Sequence, residues 1–157
     1  MIKLRKASAA DCRQIWQWSS DPAVRAESFI SDPIPYRDHV EWFGQKIGDP
    51  DCYLFVAEDG EHQPIGQIRF ELAGQNATVS ISLDQKFRHK GYGSKIIALA
   101  SQDIFATTQA NLIHAYIKRG NRASTAAFIK AGFIFLEAVQ MKGQDAAHLI
   151  LEKKEPQ

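Results

Sequence analysis

The sequence predicts one α/β domain, a mixed layer fold, on three observations. Three short strand-like runs follow one another at 52–59, 65–73 and 78–83, separated by turn residues. Stretches with apolar residues at helical spacing stand before and after them. No repeat, low-complexity tract or linker divides the 157 residues, and that length suits one sizeable core.

Taken in order, "MIKLRKA" alternates Ile2 and Leu4 with basic residues, as a half-buried strand does. Ser8 opens a helix, with Asp11 at the capping-box position. Cys12, Ile15 and Trp16 are expected on its inner face. "SSDPAVRAESFISDPIP" carries three prolines and reads as a long loop. A second helix starts near Pro35, with Tyr36, Val40, Phe43 and Ile47 as its inner stripe. "CYLFVAED", "IGQIRFELA" and "TVSISL" form an antiparallel meander joined by "GEHQP" and "GQNA". "DQKFRHKGYG" leads into a helix through Ile96, Ile97, Ala100 and Ile104, and "LIHAYIK" is a strand. Asn121 caps a helix that Gly132 ends. "FIFLEAVQ" and "AAHLILEKK" are two closing strands around "MKGQD". The predicted order is β-α-α-β-β-β-α-β-α-β-β.

Composition excludes several classes. Apolar residues are 45% and charged residues 24%, with net charge +1. Nothing there draws the chain to nucleic acid. Cys12 and Cys52 show no CxxC or His pattern, so no metal site or disulfide framework is expected, and the cytoplasm is the expected compartment. No apolar run approaches the ~20 residues that span a bilayer, and the N-terminus lacks the apolar core of a signal peptide.

The stretch "RHKGYGSKII", Arg88 to Ile97, concentrates glycine and positive charge at a helix start. The first amides of a helix have no internal partners, and the aligned dipoles put partial positive charge there. Gly91 and Gly93 let a phosphate approach the backbone, and Arg88, Lys90 and Lys95 add charge. A plain basic helix start is the competing reading. Ile96 occupies the place of a third Rossmann glycine, and no P-loop pattern occurs, so a dinucleotide fold is the weakest option.

Arg88-His89-Lys90-Gly91-Tyr92-Gly93 resembles the R/Q-x-x-G-x-G/A motif of the GNAT N-acetyltransferase superfamily. About 30 residues on, "NRASTAAFIKAGF" is similar to its second CoA segment, N-x-x-[SA]-x-x-x-[YF]-x-x-x-GF. The resemblance implies the GNAT fold, a mixed, mostly antiparallel central sheet flanked by helices, and acetyl-CoA as co-substrate. The helix start, Gly91 to Ser94, would then cradle the pyrophosphate, within a loop of Arg88, His89, Lys90 and Tyr92. Backbone groups of Ile81, Ser82 and Leu83 would pair with the pantetheine arm. Asn121 would touch the cofactor, with Ser124, Phe128 and Lys130 nearby, although Asn121 also reads as a cap and Phe128 as core.

Acetylation needs a neutral amine, a polarised thioester carbonyl and a proton for the leaving thiolate. The family often places a tyrosine seven residues after the Asn. Here that position is Phe128, so Tyr116 or water must protonate the thiolate, or it leaves unprotonated. Ser80 and Ser82 (through water), His39 and Glu71 are the base candidates. His39 also reads as a surface histidine, and Glu71 and Arg69 as a solvated strand face.

The upstream segment resembles the PseH-type enzymes of pseudaminic acid biosynthesis, which acetylate the 4-amino group of a UDP-linked 4-amino-4,6-dideoxy sugar. Trp16, Trp18, Asp21, Val24, Arg25, Ser28, His39, Trp42 and Phe43 carry that resemblance. Ser19-Ser20 departs from it, where the group has Arg-Asn. Trp18 lies off the inner stripe and is the candidate for substrate stacking, and Arg25 for a diphosphate. Arg69 and Glu71 complete the substrate candidates. The competing functions are acetylation of a protein N-terminus, a lysine or another amine, and a non-catalytic acyl-CoA-binding module. The expected partners are acetyl-CoA, a nucleotide amino sugar and a second copy in a homodimer.

Overall fold

A computed structural model describes residues 1–155. The strands are β1 (Lys3–Lys6), β2 (Cys52–Glu58), β3 (Pro64–Ala73), β4 (Asn76–Leu83), β5 (Leu112–Lys118), β6 (Ile134–Met141) and β7 (Gln144–Glu152). They form one sheet in the order β1-β2-β3-β4-β5-β7-β6. The helices are α1 (Cys12–Ser20), α2 (Pro22–Ala26), α3 (Tyr36–Ile47), α4 (Tyr92–Thr107) and α5 (Arg122–Lys130).

Strands β1 to β4 are antiparallel neighbours, as are β5, β7 and β6. The two groups meet in a parallel pairing of β4 with β5, with α4 as the crossover. That pairing holds only for Asn76–Leu112, Ala77–Ile113 and Thr78–His114. Beyond Thr78, β4 stays with β3 as far as Leu83, while β5 stays with β7 as far as Lys118. A wedge therefore opens in the middle of the sheet.

The two faces are covered differently. Helix α4 lays Ile96, Ile97, Ala100 and Ile104 on Ile68 and Phe70 of β3, Ala77 and Val79 of β4, and Ile113 and Ala115 of β5, all fully buried or nearly so. Each of the isoleucine, valine and phenylalanine side chains contributes roughly 1.5–3 kcal/mol on burial. On the opposite face α1 and α3 cover β2, through Ile15, Trp18, Phe43, Leu54 and Val56.

Three expectations need correction. The proline-rich loop contains α2, because Pro22 starts a turn whose amide at Ala23 is capped by Asp21 Oδ1 at 2.9 Å. The inner stripe of α3 is His39 and Phe43, while Val40 and Ile47 are 44% and 39% exposed. The helix is rotated because its packing partner is the apolar surface of α1 and β2, where His39 finds a carbonyl acceptor. In α1 the buried pair is Ile15 and Trp18, at i and i+3, and Trp16 is only half-buried.

Candidate active site

The wedge leaves backbone groups without a partner strand. Asp84 N–H donates to the Ile65 carbonyl at 2.7 Å, and β4 pairs with β3 in register Leu83–Gly66. Alternation along an antiparallel ladder then turns the amides of Ser80 and Ser82 toward β3. Those of Val79, Ile81 and Leu83 face the wedge. This corrects the expectation that Ser82 offers its backbone to a pantetheine arm: its main chain is turned to β3, while the Val79 amide faces the wedge. Gly66 reflects the same closeness, since a Cβ there would lie 2.5 Å from the Ser82 carbonyl oxygen.

At the wide end of the wedge lies the loop before α4. Gly91 is the N-cap of α4 with φ +84°, a conformation that suits glycine, and no side chain caps the first turn. The amides of Tyr92, Gly93 and Ser94 are thus open to an anion. His89 also has positive φ, and His89, Lys90 and Lys95 are exposed around this turn. Tyr92 packs edge-on against Phe87 at 5.6 Å. Arg88 is not free: its Nη2 and Nε donate to the Leu83 carbonyl at 3.0 and 3.2 Å, and Nη2 lies 3.4 Å from Asp21.

Helix α5 borders the same region. Asn121 Oδ1 accepts from the Ser124 amide at 3.1 Å, which makes it a cap. Lys130 is exposed in the last turn. Phe128, expected beside the cofactor arm, is 3% exposed and packs edge-on against Phe133 at 5.0 Å. Its ring belongs to the core.

The face bearing α1 to α3 carries the polar side chains. Strand register puts Gln67, Arg69 and Glu71 of β3 beside Ser82, Ser80 and Thr78 of β4. Ser80 is exposed. Ser82 is buried, and its Oγ accepts from Gln67 Nε2 at 2.7 Å. Glu71 pairs with Lys46 and lies 3.6 Å from Arg69, whose guanidinium stands 5.0 Å from the Trp42 ring centroid. Across the wedge, Tyr116 stacks on His148 at 4.4 Å, and His148 Nε2 lies 2.8 Å from His114 Nδ1. Ser80 and Tyr116 are the first same-face residues on the two strands after the pairing ends, so they flank the opening.

Three upstream candidates serve other ends. Trp18 is 4% exposed, and its Nε1–H donates to Asp84 Oδ2 at 2.9 Å, so it cannot stack on a substrate. Burial raises the Asp84 pKa, but that bond, the Lys86 amide and the charges of Lys86 and Arg88 together hold it below its ordinary value, and Asp84 caps the turn leading to the α4 loop. Arg25 donates to the carbonyls of Ser19 (2.7 Å) and Ile30 (2.9 Å) and to Ser28 Oγ (3.2 Å), which ties the 19–32 segment together and leaves no fork for a diphosphate. His39 is 3% exposed, and its Nε2–H donates to the Cys12 carbonyl at 2.9 Å. Burial depresses its pKa, and the ring clasps α3 to α1.

A family model described as an acetyltransferase (GNAT) domain matches residues 2–134. The chain belongs to the GNAT acetyltransferase family. It is therefore an acetyl-CoA-dependent N-acetyltransferase. The fold is similar to that of spermidine N-acetyltransferase from Vibrio cholerae in complex with CoA and spermine, at TM-score 0.86 and 17% identity, over 97% of this chain and 95% of that one. Aminoglycoside acetyltransferase AAC(6')-Ib in complex with coenzyme A gives TM-score 0.84 at 16% identity, over 97% and 95% of the two chains. At these identities the likeness is one of fold. Comparison with curated proteins gives no match.

Gln67, His114, His148 and Asp84 escaped the sequence reading. For His114 a signal existed: it alternates with Tyr116 on one strand face. Gln67 and His148 gain meaning only through partners on other strands.

Proposed function

We propose that this GNAT enzyme transfers the acetyl group of acetyl-CoA directly to the 4-amino group of a UDP-linked 4-amino-4,6-dideoxy sugar. The observation that carries the acceptor class is Arg69. Its guanidinium stands over Trp42 on the face beside Ser80, with Lys118 on the same side. Such a surface suits an anionic nucleotide and opposes a polycation. The one carboxylate beside Arg69, Glu71, is already paired with Lys46. The resemblance of the upstream segment supports the same acceptor. Its shared residues Trp18, Arg25, Ser28 and His39 act by shaping the wall over the site, through hydrogen bonds to backbone or to Asp84.

The donor would enter the wedge. Its pyrophosphate would meet the amides of Tyr92 to Ser94, and its pantetheine arm the backbone of Ile81 and the Leu83 amide, the Leu83 carbonyl being held by Arg88. The Val79 N–H would receive the developing oxyanion. The amine attacks the thioester carbonyl carbon after losing a proton to a water held by Ser80. The C–S bond then breaks, and Tyr116 gives its proton to the thiolate and regains one from the new amide nitrogen. Holding amine and thioester together supplies much of the rate. Both cysteines are free, which fits a reducing cytoplasm. A second copy would cover the edge strand β6, where Ile134, Phe135 and Leu136 are 59%, 58% and 50% exposed.

An acetyl-transfer assay following CoA release tests the acceptor. Turnover is expected on a UDP-4-amino-4,6-dideoxy sugar. Turnover on spermidine or kanamycin with none on the nucleotide sugar would overturn the assignment. Gly91→Glu should abolish cofactor binding, because it adds both a side chain at positive φ and a negative charge.

A further inference from the structure

His114, His148 and Tyr116 form a stacked cluster on the acceptor face. His114 lies between two partners: Nε2 is 2.8 Å from Asn76 Oδ1 and Nδ1 is 2.8 Å from His148 Nε2. A carbonyl oxygen only accepts, so His114 carries its proton on Nε2. Its Nδ1 must then accept, and His148 donates from Nε2. The remaining nitrogen, His148 Nδ1, lies 3.6 Å from Glu137 Oε1. The chain Asn76–His114–His148 links β4, β5 and β7 at the point where β4 and β5 part. The Tyr116 ring lies on His148 at 17° to parallel, so the link also sets the ring at the mouth of the wedge.

The pair has room for one proton. Uptake at His148 Nδ1 makes an imidazolium that donates to His114 and forms an ion pair with Glu137 at 3.6 Å. A second proton would have to enter the 2.8 Å bond between the rings and oppose that charge. The groups that share this face are Tyr116 and Lys118 of β5, Glu137 of β6, Glu152 of β7, and Arg69 and Glu71 of β3. Strand β4 contributes only the uncharged Asn76, Thr78, Ser80 and Ser82. Lys118 is turned to the Ala26 carbonyl at 2.9 Å, and Glu71 to Lys46. Glu137 is thus the charge closest to His148 Nδ1.

We propose that the His114–His148 pair is a one-proton positioning element for Tyr116. It fixes the phenol at the wedge, and its protonated form sets a positive charge against the phenol ring, where it stabilises the phenolate left after proton transfer to the thiolate. Burial and the neighbouring His148 lower the pKa of His114, consistent with its staying the acceptor of the pair. The inference rests on Tyr116 being the proton donor in the proposed reaction.

Two variants separate the ideas. Tyr116→Phe tests the reading itself: kcat should fall by about 10²-fold or more, with KM for acetyl-CoA little changed. An undiminished kcat there overturns the assignment of Tyr116, whatever the histidines do. His148→Gln tests the inference, because an amide can still donate to His114 but cannot titrate. The ratio of wild-type to His148→Gln kcat should rise severalfold as pH falls through the titration of the pair. A ratio independent of pH means a merely structural role and overturns the proposal. An NMR titration of the imidazole signals gives a readout free of turnover. One proton uptake shared by the two rings on acidification supports the pair, and two independent uptakes overturn it.

Discussion

Replacing Gly66 by alanine should weaken the sheet at the place where the cofactor arm would lie. A Cβ at this position would stand 2.5 Å from the Ser82 carbonyl oxygen and 2.9 Å from Leu83 Cδ2, whereas ordinary contact starts at 3.4 Å. The leucine tip can rotate away. The carbonyl cannot, because it belongs to the β3–β4 ladder. Relief requires about 0.9 Å of strand separation, against a normal spacing of ~4.8 Å. That stretches an N–H···O bond of ~2.9 Å past its useful range. Losing one or two such bonds at about 1 kcal/mol each, plus overpacking strain of about 1–3 kcal/mol, exceeds the gain of ~0.4–1 kcal/mol from a stiffer unfolded chain. The expected net loss is about 2 kcal/mol, or roughly 4–8 °C in Tm for a chain of this size. Acetyl-CoA affinity should fall as well, because Leu83 moves. Thermal unfolding and calorimetric titration measure the two effects. Gly44→Ala is the matched control: it lies within α3, nothing stands within 4 Å of its Cβ, and it should stabilise by up to ~1 kcal/mol. A Gly66→Ala melting point within about 1 °C of wild type, with unchanged affinity, would refute the close approach and the strand assignment built on it.

Other perturbations follow from the same contacts. Trp18→Phe removes the indole donor to Asp84 and should cost about 2–3 kcal/mol, read by denaturant unfolding, with weaker acetyl-CoA binding because the turn before the α4 loop loosens. Asp21→Asn keeps the cap on α2 but releases Arg88 from a partly exposed ion pair, and acetyl-CoA should bind up to about fivefold tighter by calorimetry. His39 and His114 both titrate lower in the folded chain than their ordinary value of 6.5, because burial disfavours the charged ring. The unfolded chain therefore takes up protons first as pH falls, and stability is full above 6.5 and declines below it. Each group contributes a slope of at most about 1.4 kcal/mol per pH unit, and His39→Gln should make the acid-side decline measurably shallower.

Much of the architecture was legible in the residues. Alternation marked the meander of β2, β3 and β4, the Ser8–Asp11 pair marked a helix start, and Asn121 marked another. The glycines at 91 and 93 pointed to an anion at the head of α4, because an uncapped first turn needs partners. Trp18 and Arg25 were misassigned for one reason. Helical spacing tells which residues share a face, but the rotation of α1 and the path of the 19–32 segment depend on what they pack against.

By itself the sequence determined the seven strands, the longer helices and the family, since these rest on local patterns and on motif spacing along the chain, and it marked Gly91 to Ser94 as a candidate anion site. Only the tertiary structure decided which backbone amides face the wedge, that Arg88 closes on Leu83 and Asp21, and that His114, His148 and Tyr116 meet. Those facts depend on strand register and on where β4 and β5 separate, and register couples residues as far apart as Asn76 and His148 through contacts that no local pattern encodes.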